Sequence, residues 1–211
     1  MRNSFVIVSA LSICLILPFA LAAGAADQTA DHAAVSEAAL SKVSTVCQSC
    51  HGQNGDSVSS TFPRLNGQQA DYIAAQLKNF RSHGRSDPHA RAYMWGMSSQ
   101  LDDSIMADLA KYYASRKPTT PQSGGSLAAE GKTIYMNGVP SHNIPPCQAC
   151  HGDSGEGNGE IPRLAGQHAD YLKGQLENFR SLLRESDVMH ANTKDMTDSE
   201  IEAIVSYLAN D

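Results

Sequence analysis

The stretch PRLNGQQADYIAAQLKNFRS, beginning at Pro63, returns as PRLAGQHADYLKGQLENFRS, beginning at Pro162, with Pro, Arg, Leu, Gly, Gln, Ala, Asp, Tyr, Gln, Leu, Asn, Phe, Arg and Ser in register. A repeat of roughly 95 to 100 residues is too long for a solenoid unit and suits a small domain made twice. Between the copies lies RKPTTPQSGGS, Arg116 to Ser126, whose Pro, Gly, Ser and Thr content suits a linker rather than a core. The chain therefore divides into an N-terminal domain at residues 27–117, a linker at 118–125 and a C-terminal domain at 126–211.

Each copy carries helical periodicity. Tyr72, Ile73, Leu77 and Phe80 recur on one face, as do Tyr171, Leu172, Leu176 and Phe179. A terminal amphipathic helix follows in each, with Ile105, Met106, Leu109 and Tyr112 in the first and Ile201, Ile204, Val205 and Leu208 in the second. Thr197 and Glu200 have capping-box spacing, and Asp102 or Asp103 can cap the earlier helix. Further helices are expected at Val35 to Val46 and Leu127 to Asn137. No run alternates with period two, so the fold class is all-α. A domain of this size with a few short helices makes a thin core, and something else must fill its middle.

The filler is written in CQSCHG, residues 47–52, and CQACHG, residues 147–152. Cys-x-x-Cys-His is the attachment signature of c-type haem: both thiols join the porphyrin edge and the adjacent imidazole reaches the iron. A disulfide would suit an exported chain but leaves both histidines without a role. Compact zinc modules place their ligand pairs some 15 to 20 residues apart, and here about a hundred separate them. A thioredoxin-like pair expects a βαβ context. The reading is two covalent haem c groups, held by Cys47, Cys50 and His51 and by Cys147, Cys150 and His151, each wrapped by its own small helical domain.

The sixth iron position decides between a carrier and a catalyst. Aligning Tyr112 with Tyr207 places Met94 opposite Met189. Met97 competes in the first copy, while Met196 falls opposite Leu101. No second histidine is duplicated: His83 meets Leu182, His190 meets Trp95, and His89 lies in a four-residue excess of the first copy. The shared PRLxGQ offers Arg64 with Gln68, and Arg163 with Gln167, as donors to haem propionates, with surface pairing the other role for the arginines. Pro63 and Pro162 can offer a carbonyl to the ligating imidazole. Tyr72 and Tyr171 read as core.

The opening MRNSFVIVSALSICLILPFALAAGAADQ has a basic residue, an apolar run and small residues before the first acid, which is the layout of a secretory signal peptide over residues 1–26. A membrane anchor is the other reading, interrupted by Ser9, Ser12 and Pro18. Whole-chain counts are 16 Lys and Arg against 22 Asp and Glu, a net charge of −6, and the leader holds one of the cations, Arg2, and no acid. This acidic balance without a basic tract excludes nucleic-acid binding.

Duplicated CxxCHG, PRLxGQ followed by YIxxQLxxFRxxxR, and a methionine ahead of a helix ending YYA or YLA resemble the dihaem cytochrome c4 family over essentially the whole exported chain. The resemblance implies two small helical cytochrome c domains with His/Met iron. It further implies a periplasmic, non-enzymatic electron carrier whose partners include a cytochrome oxidase, a cytochrome bc1 complex or a dehydrogenase, with peripheral membrane association compatible with such partners. The alternatives are a cytochrome subunit accepting electrons from a dehydrogenase and a dihaem peroxidase. The longer loop DPHARAYMWGM departs from the second copy and leaves Met94 less fixed than Met189.

Overall fold

Short caps and a repeated apolar face divide the chain into ten α-helices among the described residues, which are 35–122 and 125–209 of this computed structural model. The leader expected at residues 1–26 lies outside them. In the first repeat, Ser36 caps α1 (Glu37–Lys42), which runs on as a π-helical turn, Val43–Cys47, into α2 (Gln48–His51). Next come α3 (Ala70–Arg81), a second π-helical turn at Ala90–Met94, α4 (Trp95–Ser98) and α5 (Asp103–Ala114). The second repeat has α6 (Gly125–Asn137), α7 (Gln148–His151), α8 (Ala169–Arg180), α9 (Asp187–Thr193) and α10 (Asp198–Leu208). The described residues contain no strand, only three isolated bridges.

Each repeat has its own apolar core. In the first, Ile73 and Leu77 of α3 meet Met106, Leu109, Ala110 and Tyr113 of α5, with Ala39 and Val43 closing the cluster. In the second, Leu172 of α8 meets Ile201, Ile204, Val205 and Leu208 of α10, with Ile134 and Tyr135 of α6 behind them. The inward phase of α5 is set by Tyr113; Tyr112, expected inside, is half-buried and donates its hydroxyl to Asn54 Oδ1 at 3.2 Å.

Both expected caps form. The Asp102 carboxylate accepts from Ile105 N at 2.8 Å. Thr197 and Glu200 complete the capping box that starts α10. Glu200 also accepts from His142 Nδ1 at 2.8 Å, tying the loop before Cys147 to α10. Burial raises the Glu200 carboxyl, but hydrogen bonds from Thr197 and His142 outweigh it and hold the group below its ordinary value.

The segment after Lys117 contributes nothing to either core, yet it is pinned. Asn66 Nδ2 donates to Lys117 O and Thr119 Oγ1, both at 2.9 Å, and Gln122 N donates to Ala209 O at 3.0 Å. The expected linker is thus a strap bonded to both repeats.

Two outcomes follow. A Cβ on Gly131 of α6 would stand 1.8 Å from Ala203 O of α10, so that helix pair crosses at backbone contact. Gly131→Ala is expected to destabilise the haem-loaded protein by about 1–3 kcal/mol in urea unfolding, through forced separation of the two helices. Because Glu200 is depressed in the folded state, its contribution is present above the unfolded carboxyl pKa and disappears as pH falls through the folded value. Wild type should therefore lose stability below about pH 4.5 more steeply than Glu200→Gln, which is checked by thermal melts over that range.

Candidate functional site

The Cys-x-x-Cys-His segments fold into single helical turns, α2 and α7, for a reason visible in the next residue. Gly52 and Gly152 hold φ of 75° and 83° with ψ of 167° and 163°, a region nearly closed to other residues, and this reverses the chain after the histidine. Cys47 packs against the first core and Cys147 against the second. The four cysteines of the two motifs form no disulfide. Burial raises the Cys47 thiol and pushes the Cys147 thiol up to about 11.

Both histidines are buried, each 8% exposed. His51 Nδ1 lies 2.9 Å from Pro63 O, and His151 Nδ1 lies 3.0 Å from Pro162 O. A carbonyl can only accept, so Nδ1 carries the proton and Nε2 keeps the lone pair that a metal requires. Burial lowers both imidazoles, which holds them neutral. These two bonds match the carbonyl role expected for the prolines.

Equivalent hydrogen bonds fix the methionine register. Ser98 Oγ donates to Met94 O and Thr193 Oγ1 to Met189 O, both at 2.7 Å. Three residues further on in each copy, Arg81 Nη1 donates to Leu101 O at 2.8 Å and Arg180 Nη1 to Met196 O at 2.9 Å. Leu101 and Met196 are core residues, as the alignment expects. Met94 packs against the first core, whereas its competitor Met97 is 54% exposed. His83 stacks on Trp95 at 3.9 Å, and His190 Nδ1 bonds Phe179 O at 2.9 Å.

The PRLxGQ residues meet across the repeats. Gln68 accepts from Arg163 N at 2.7 Å and donates to Arg163 O at 2.9 Å. Gln167 does the same to Arg64 N and O at 2.8 and 2.9 Å. Each amide oxygen also accepts from the next backbone N–H of its own repeat. This differs from the propionate-donor role expected for Gln68 and Gln167: a primary amide copies the peptide group, so it completes the other copy's backbone. Arg64 Nη1 donates to Gly166 O at 3.0 Å, and Arg163 Nη2 to Thr119 O at 3.5 Å. Arg163 Nε is buried with no protein partner.

A second layer escaped the sequence reading. Arg85 Nη2 donates to Tyr171 Oη at 3.2 Å and Gln175 Oε1 at 2.9 Å, while Arg184 Nη2 donates to Tyr72 Oη at 3.0 Å and Gln76 Oε1 at 3.1 Å. The tyrosines read as core are contacts between the repeats. Burial raises the Tyr72 hydroxyl, but the charges of Arg184 and Arg85 bring it below its ordinary value. Asp87, fully buried, pairs with Arg85 Nε at 2.7 Å. The final Arg of FRxxxR, repeated in both copies, was the available signal. His168 Nε2 on Ser57 O at 2.9 Å and Gln69 Nε2 on Glu156 O at 2.8 Å repeat the same exchange.

A model of the family described as Cytochrome c matches residues 38–117 and again 128–210. Cytochrome c4 of Thiocapsa roseopersicina is 36% identical over 82% of this chain and 90% of that protein. The Acidithiobacillus ferrooxidans cytochrome c4 structure, 38% identical, superimposes with a TM-score of 0.73 over 77% of this chain and 96% of its own. This chain is a member of the cytochrome c4 family. The thiosulfate dehydrogenase electron acceptor of Stutzerimonas stutzeri strain A1501 is 37% identical over 78% of each chain.

As a cytochrome c4, the chain carries two covalent haem c groups in two tandem cytochrome c domains. The residues present fit them: paired cysteines outside any disulfide, an imidazole oriented through Nδ1, and a buried Arg163 Nε without a protein acceptor. Bound haem iron supplies one-electron exchange, and the protein's part is to fix ligation and exclude water.

Removing either glutamine leaves a backbone N–H and C=O of the other repeat without partners. Gln68→Ala or Gln167→Ala should each cost about 2–4 kcal/mol. Differential scanning calorimetry should then resolve two transitions where wild type shows one.

Proposed function

We propose that this cytochrome c4 is a periplasmic electron carrier, exported by the leader at residues 1–26. It passes electrons from respiratory-chain components to a terminal oxidase or similar acceptor and performs no substrate chemistry. Iron is held by His51 and Met94 in the domain at 27–117 and by His151 and Met189 in the domain at 126–211. Thioether links run through Cys47 and Cys50 and through Cys147 and Cys150.

The observation that supports this reading is the recurrence, in both copies, of a neutral, Nδ1-anchored imidazole and of a methionine whose carbonyl takes the same hydroxyl four residues on. Iron saturated on both faces gains and loses an electron with little rearrangement and offers peroxide no site, which counts against the peroxidase alternative. No helix among the described residues is long and apolar enough to cross a membrane. A second reading, an electron-accepting partner of a dehydrogenase, is favoured by the likeness to the thiosulfate dehydrogenase electron acceptor.

The test is the weak sulfur-to-iron absorption at the red end of the oxidised spectrum. Met94→Ala and Met189→Ala should each remove about half of it and lower one of the two potentials. A band intact in Met94→Ala and halved in Met97→Ala would overturn the first ligand assignment. Rapid carbon monoxide binding by the reduced wild-type protein would overturn the carrier reading itself.

A further inference from the structure

The two repeats share an inward arginine and differ in what surrounds it. At 181–188 in the second repeat, Arg184 turns inward, while Leu182, Leu183 and Val188 face out at 54, 52 and 66% exposed. Glu185 and Asp187 are exposed among them. The outer face of this segment is thus apolar and acidic, and its cation is engaged by Tyr72, Gln76 and Gln175. In the first repeat the acid Asp87 is the group turned inward, and His83, Pro88, His89 and Arg91 are exposed. Leu182 occupies a left-handed position, φ 60°, where His83 stands at φ 63°. A leucine there is both strained and exposed.

We propose that this face of the second repeat is the docking surface for a redox protein whose own apolar patch is rimmed by lysine or arginine, an inference that rests on the electron-carrier reading. An apolar centre supplies contact, and the acids beside it steer a basic partner and fix its orientation. The same acids disfavour an anionic membrane surface. A second copy laid on this face across a two-fold axis would bring Glu185 and Asp187 against their own counterparts, a like-charge contact. Electrons leave or enter the second domain at this face.

The experiment uses the reduced, haem-loaded chain and two small oxidants in stopped flow: the apolar trication tris(phenanthroline)cobalt(III), a mimic of the basic apolar patch, and the trianion ferricyanide. Leu182→Asn/Leu183→Asn and Glu185→Lys should each slow the cobalt reaction by about threefold or more and leave ferricyanide unchanged or faster. Glu130→Lys, on the exposed surface of α6, makes the same charge change elsewhere and should slow it by less than half as much. An equal effect of Glu130→Lys, or no effect of the leucine changes, overturns the proposal. Self-association of wild type in sedimentation that the leucine changes abolish also overturns it, by assigning the face to a second copy. Failure of the wild type to reduce either oxidant would instead overturn the carrier reading.

Discussion

The exchange of amide hydrogen bonds between the PRLxGQ segments organises this molecule. Gln68 closes onto the backbone of Arg163, and Gln167 onto that of Arg64, so each repeat supplies the partner groups the other lacks. These are the segments whose prolines bond the histidines, only one residue before each arginine. The bond orienting one imidazole is therefore built into the same short strip that joins the copies. Loosening the interface disturbs both ligand geometries, and a carrier with two irons benefits from holding them in one rigid frame.

The layer formed by Arg85, Arg184, Tyr72 and Tyr171 extends that frame. Two guanidinium groups lie at this contact with one carboxylate, Asp87, and the remaining acceptors are neutral hydroxyls and amides. Such a site is costly unless every donor is satisfied, and the crossing of each arginine to the opposite repeat supplies the partners. The copies are symmetric in their neutral contacts and asymmetric in charge, which permits two chemically similar haems to meet different surroundings.

Much of this was legible in the sequence because duplication doubles every local signal. The helices, caps and haem turns follow from spacing and from residues recurring at the same offset. What escaped was the use of polar residues that face the other copy. Gln175 lies on α8 at a position the apolar pattern skips, and it is buried with its oxygen shared between Arg85 of the first repeat and Arg184 of its own. A single copy offers Gln68 and Gln167 no partner but a propionate, and only the other copy supplies the backbone they bond. Tyr113 displaced Tyr112 from the core for a simpler reason: two adjacent tyrosines leave the helical phase ambiguous by one position.

The central claim is that both irons are saturated by histidine and methionine. Low-temperature electron paramagnetic resonance of the fully oxidised, haem-loaded protein tests it most directly. The account predicts low-spin ferric signals alone, integrating to two irons per chain. A high-spin signal amounting to one iron per chain would contradict it.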